Sequence, residues 1–274
     1  EIYDPLMRKL SATGKSIGVD LRQAVQRDDL ALAYRPAVRL VDKAIAGFSV
    51  EGSWRHPIQG QFTWSSLLPL AEREGLATPL VLSVLERAAQ QMREWQSTNP
   101  DAAPGFVCVP IPVGGPFRSE LVNDVKAVIV RNQLAPGALK LAISEQVVAQ
   151  NPEFAAQLMH RLRDVGASLA FDRFGAGSTW LGYLERMPVD TIRLEPSYLR
   201  GNGKGRRSLL LRSLVSVGHD LGLQVLASGV ETDTDALDLL QLGVEMAEGD
   251  LFGRTLAAPA ATRILQDSAA QAAE

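Results

Sequence analysis

Short apolar runs, each followed by a stretch with helical spacing, recur along the chain and constrain its fold more than any other feature. GFVCVPIP (105–112), LKLAIS (139–144), SLAFD (168–172), TIRLE (191–195) and LQVLAS (223–228) read as strands. Helical patterns lie near 118–132, 152–165, 206–220 and 233–242, and a final helix follows Pro259. Near-continuous apolar runs mark strands buried on both faces. Their alternation with helices predicts parallel strands joined by crossovers, and this many units predict a barrel. The runs around 30–38 and 45–54 have no helix between them, which predicts one antiparallel pair near the start.

A chain of 274 residues with 46% hydrophobic residues suits one large α/β barrel with a sizeable core. A formal charge of −3 gives no electrostatic reason to expect binding to a nucleic-acid polymer. The single cysteine, Cys108, cannot form an internal disulfide and fits a reducing compartment. No apolar run reaches the roughly 18 residues needed to span a bilayer, and no signal peptide opens the chain. The start at Glu1 rather than Met suggests a domain cut from a longer protein, and the expected setting is cytoplasmic, either alone or as the cytoplasmic part of a longer, membrane-attached protein. Residues 1–19 read as a linker helix, 20–262 as the barrel, and 263–274 as a helix end and Ala-rich tail. Gly14-Lys15-Ser16 lacks the upstream glycine and strand of a P-loop, and the basic loop GNGKGRR (201–207) lacks the strand-to-helix setting of a phosphate cradle.

Leu169 to Gly177, LAFDRFGAG, carries the chemistry: an apolar strand ends on Asp172, then Arg173 and a glycine turn. Barrel enzymes place reactive groups at the C-terminal ends of strands. Here a cation follows the one acid.

Eight segments in register resemble the EAL domain, the family of cyclic di-GMP phosphodiesterases, from about Asp20 to Ala258. They are LALAYRPAV (30–38), WRHP (54–57), LLPLAEREG (67–75), LKLAISEQ (139–146), FDRFGAG (171–177), MPVDTIRLEPSYL (187–199), VLASGVET (225–232) and AEGDLFGR (247–254). The resemblance implies a modified TIM (β/α)8 barrel of EAL type with one antiparallel strand near the start. It also implies a centre for two divalent cations, built from carboxylates and one amide, because hard cations take oxygen ligands and acidify the attacking water.

That implied ligand set is mostly absent. The glutamate of the name-giving Glu-Ala-Leu motif falls on Ser49, the asparagine after the third strand on Pro110, and the glutamate of the next strand on Ala142. The first aspartate is Asp172, the second falls on Arg173, and the glutamate of the Glu-Gly-Val-Glu motif falls on Ser228. A water-positioning lysine falls on Arg193, which hardly deprotonates, and the late glutamine falls on Glu248. Glu51 lies two residues beyond Ser49, about 6–7 Å along the strand, too far to replace its ligand. The expectation is therefore a degenerate EAL domain with no phosphodiesterase activity and no cofactor.

Two roles remain open for such a domain. In the first, the pocket still binds cyclic di-GMP or a related phosphate ligand without metal, through Arg35, Asp172, Arg173, Phe174, Gly175, Arg193, Glu231 and Arg254. Arg35, Arg173 and Arg193 would then form an anion-binding cluster, and Phe174 would stack on a guanine. In the second, those arginines pair with Asp172, Glu145, Glu195 and Glu248, the pocket is filled, and the barrel works as a homodimer or through a protein partner. The loss of a phosphate clamp at Ser53 and of a polar contact at Pro110 favours the second role. Trp180, in the region through which family members pair, is a candidate interface residue. His56, His160, His219 and Cys108 read as structural.

Overall fold

A computed structural model describes residues 17–98, 100–111, 118–175, 184–198 and 206–272. A helix over residues 17–27 (α1) leads into β1 (Ala31–Arg39), β2 (Ile45–His56) and the short β3 (Gly60–Phe62). Helices α2 (Trp64–Arg73) and α3 (Ala77–Thr98) follow. The strand–helix alternation then begins: β4 (Phe106–Ile111), α4 (Leu121–Arg131), β5 (Leu139–Ser144), α5 (Glu145–Gln150), α6 (Pro152–Asp164), β6 (Ser168–Phe174) and β7 (Thr191–Leu194). It ends with α7 (Arg206–Asp220), β8 (Gln224–Ser228), α8 (Asp233–Gln241), β9 (Met246–Glu248) and α9 (Ala258–Ala272).

The strands run β1-β9-β8-β7-β6-β5-β4-β2 around the sheet, and a β1–β2 pairing closes the ring. β1 is antiparallel to both its neighbours, while β2 and β4 through β9 are parallel. The predicted modified barrel is thus the observed fold. The hairpin strand β3 on β2 and the six-residue helix α5 are additions that the apolar pattern does not signal. Helix α1 crosses the expected boundary at residue 19, and α9 runs through the one at residue 262. Among the described residues, no helix is long and apolar enough to cross a membrane.

Side chains alternate across each strand, so the barrel carries two cores. The outer core lies between sheet and helices; α3 contributes Leu80, Val81, Val84, Leu85, Ala88, Ala89 and Met92, all fully buried. The inner core is small and separate: Ala37, Phe106, Cys108, Ala142, Ala170, Leu226 and Met246. Phe106 lies across the barrel floor against Gly47, where an added Cβ would stand 2.7 Å from the ring. Trp64 is buried beneath Gly52. His56 is structural: its Nδ1 accepts from the backbone N–H groups of Ile58 and Gln59, and its Nε2 meets Asp20 of α1 at 3.1 Å.

Inside the barrel, Lys140 is 5% exposed. Its Nζ donates to Thr191 Oγ1 at 2.7 Å and stands 4.3 Å from the centre of the Phe106 ring. Burial holds the amine below its ordinary value. The folded state therefore binds fewer protons than the unfolded chain between that lowered value and 10.5, and stability rises with pH across this window. Lys140→Met is expected to be about 1 kcal/mol more stable than the wild type at pH 7, since burying the charge is costly. Its advantage should shrink as pH approaches 10. Denaturant midpoints at both pH values test this; a less stable variant, or a constant difference, would contradict it.

Candidate functional site

The C-terminal strand ends converge on one guanidinium. Arg193 of β7 donates from Nη1 to Asp172 Oδ1 on β6 at 2.8 Å. From Nη2 it donates to Glu248 Oε1 on β9 at 2.6 Å and to Ser49 Oγ on β2 at 3.2 Å. Ser49 donates to Glu248 Oε2 at 2.5 Å, and Ser228 of β8 donates to Glu248 Oε1 at 2.8 Å. Side-chain exposures of 12% for Arg193, 4% for Glu248 and 22% for Asp172 place this network inside the barrel throat, screened from water.

Why the side chain reaches so far follows from its neighbours. Ala142 and Ala170 are short inward residues on β5 and β6, and Cys108 lies on β4, so the throat has room for one long side chain. Burial works against the Arg193 charge, but Glu248 and then Asp172 outweigh it and hold the guanidinium protonated above its usual range. Burial likewise pushes Glu248 upward, yet Arg193 and the two serine hydroxyls hold it below the ordinary carboxylate value. The Cys108 thiol, fully buried, is pushed up to about 11 and stays protonated. The Arg193 Nε is buried with no hydrogen-bond partner among the described residues.

Arg173 takes a different course. The β6–β7 register slips between Phe171 and Phe174, and Arg173 sits at φ +55°, a left-handed conformation uncommon for its residue type. Its side chain is 66% exposed and its Nε donates to Glu195 at 2.7 Å. Arg35, whose Cα pairs with Ser49 across β1–β2, bonds Asp250 at 3.0 Å. The three arginines therefore do not converge on a shared anion position: Arg35 is taken by Asp250, Arg173 by Glu195, and Arg193 by both Asp172 and Glu248. Asp250 is the partner sequence reasoning missed, although it sits within the AEGDLFGR segment.

Other expected contacts also move. Phe174 is 2% exposed and packs near Phe171, so it offers no open face for a base; the slip that turns Arg173 outward turns Phe174 into the core. Gly175, at φ +92°, presents its carbonyl to the Tyr198 hydroxyl at 2.7 Å. Glu231 and Arg254 are exposed, as is Glu51 on β2. Ser53 Oγ donates to the Ala31 carbonyl at 3.5 Å. Pro110 and Ala142 line β4 and β5 side by side. Trp180 lies outside the described residues. A cavity of about 240 Å³ opens beside the network, lined by Arg35, Gly229, Glu231, Glu248, Gly249 and Asp250.

The two-metal centre implied by the resemblance does not fit these residues. Among the described residues no group of three or more His, Cys, Asp or Glu side chains is arranged to hold a metal ion. The inward carboxylates Asp172 and Glu248 both already bind a cation, the guanidinium of Arg193.

A closed barrel with one antiparallel strand and a polar centre at its strand ends defines the class, and the family follows: the chain belongs to the EAL domain family, which matches residues 19–255. It is 31% identical over 239 residues to the cyclic di-GMP phosphodiesterase NbdA of Pseudomonas aeruginosa, covering 86% of this chain and 30% of that protein. The chain thus spans about a third of the length of that relative. The fold superposes on the PaMucR phosphodiesterase, solved as a c-di-GMP complex, with a TM-score of 0.82, 29% identity, and coverage of 88% of this chain and 97% of that one. The FimX EAL domain of Pseudomonas aeruginosa, bound to c-di-GMP, shares the fold at a TM-score of 0.76 and 19% identity, over 84% of this chain and 92% of its own.

Proposed function

We propose that this chain is a catalytically inactive EAL domain that acts as a regulatory protein-interaction and dimerisation module in cyclic di-GMP signalling. The observation that carries the reading is Arg193: a guanidinium stands among Ser49, Asp172, Ser228 and Glu248, bonded to both inward carboxylates. The two-metal route implied by the family uses the metals to acidify the attacking water and shield the phosphate charge. Arginine supplies neither a ligand nor a general base. A link to cyclic di-GMP follows from family membership and from the named activity of NbdA.

The receptor alternative keeps one observation in its favour, the cavity beside Arg35 and Glu231. Its volume of about 240 Å³ lies below the ~300–1,000 Å³ common for small-molecule sites. Charge counts against it as well. Arg35 and Arg173 each face a carboxylate, Arg193 faces two, and Glu231 adds a further negative charge to the rim. A dianionic dinucleotide would meet Arg35, Arg173 and Arg193 already paired with carboxylates.

Incubation with cyclic di-GMP and Mn²⁺ or Mg²⁺ is expected to yield no linear dinucleotide above the protein-free control, and turnover would overturn the proposal. Sedimentation should show a discrete dimer, or a complex with a captured partner. A monomer at all concentrations, with no partner, would remove the interaction role.

A further inference from the structure

The point where the family resemblance implies a metal centre is occupied by a side chain. Side chains from β2, β6, β8 and β9 converge on one point, and the group at that point is a cation from β7. We propose that Arg193 is a tethered cation that stands in the place of the metals and holds the throat shut, and that the pocket its side chain fills is selective for a planar guanidinium. This rests on the reading that no metal pair is held there and goes beyond it, because it assigns the site a ligand chemistry.

Geometry selects guanidinium over other cations. Asp172 and Glu248 receive separate Nη groups at 2.8 and 2.6 Å, and Ser49 shares the second. A flat fork can present those donors at once, whereas an ammonium is a compact, strongly hydrated point charge. A divalent metal would have to compete with the tethered guanidinium for the same two carboxylates, both already engaged by it. Ser49 and Ser228, read at first as losses, gain a role here: both donate to Glu248 and fix the carboxylate that faces the fork.

The test uses Arg193→Ala and thermal melting, with methylguanidinium, methylammonium and Mn²⁺ as probes at millimolar concentration. The variant should melt on the order of 10 °C below the wild type, as expected for a broken buried pair. Methylguanidinium should restore part of that loss in the variant and raise no melting point in the wild type. Equal effects of methylguanidinium and methylammonium, or a larger rescue by Mn²⁺, would overturn the proposal. Should Arg193→Ala fail to fold, Arg193→Lys, Glu248→Gln and the double variant give the same answer. Non-additive melting losses, smaller in the double variant than the sum, support the tethered cation, and additive losses overturn it. Nucleotide turnover, the failure mode of the functional reading, does not enter these melting outcomes, so the two fail separately.

Discussion

Glu248→Ala is expected to destabilise the folded barrel by about 3–5 kcal/mol, the range for removing one partner of a buried ion pair. Glu248 is 3% exposed and receives hydrogen bonds from Ser49, Arg193 and Ser228. Truncation leaves three donors without their acceptor and leaves the Arg193 charge shared with Asp172 alone. An exposed pair would be worth ~1 kcal/mol or less, so the magnitude itself tests whether the network is buried. The pH dependence has a definite sign. The folded-state carboxyl titrates below its ordinary value of 4.5, so its stabilisation is fully present above that value and is lost as pH falls through the lower one. Chemical denaturation at pH 7 and pH 3 should show the gap between wild type and variant narrowing in acid; a gap that stays constant or widens would contradict this.

Gly249→Ala should damage the same region through sterics alone. The residue follows β9, at φ +159°, and an added Cβ would land on the backbone O and N of Val230. Neither atom is free to retreat. The Val230 N–H donates to the Glu248 carbonyl at 3.1 Å, and its own carbonyl accepts from Leu251 at 3.2 Å. Backbone cannot rotate away as a side-chain tip would, so the cost should reach or exceed the roughly 1–3 kcal/mol typical of overpacking. Melting temperature and soluble yield report it. Because the shifted strand carries Glu248, the loss should overlap with that of Glu248→Ala, and the double variant should lose less than the sum. A fully additive double variant would separate the glycine contact from the network.

Much of this was legible in the sequence, for reasons of periodicity. Apolar runs such as LKLAIS and LQVLAS read as strands buried on both faces, and their alternation with helices leads to a barrel whose strand ends hold the polar residues. Asp172 could be placed at that mouth because it ends an apolar strand, whereas Ser49, Arg193, Ser228 and Glu248 were placed there by the resemblance to the EAL motifs. Two facts were hidden. The register slip at Phe171–Phe174 depends on Arg173 adopting a positive φ, which side-chain chemistry does not announce, so Phe174 looked like an open ring and Arg173 like a mouth residue. Asp250 is 215 residues from Arg35, and only closure of β1 against β9 brings the two together. Pairing across the closure of a barrel leaves no local trace in either segment.

Calorimetric titration of cyclic di-GMP into the chain, once with Mg²⁺ and once with EDTA, tests the central claim most directly. A throat already filled by Arg193 predicts flat traces in both buffers. Saturable heat in either would contradict it, and heat that survives EDTA would show that the arginines release their carboxylates to take phosphate.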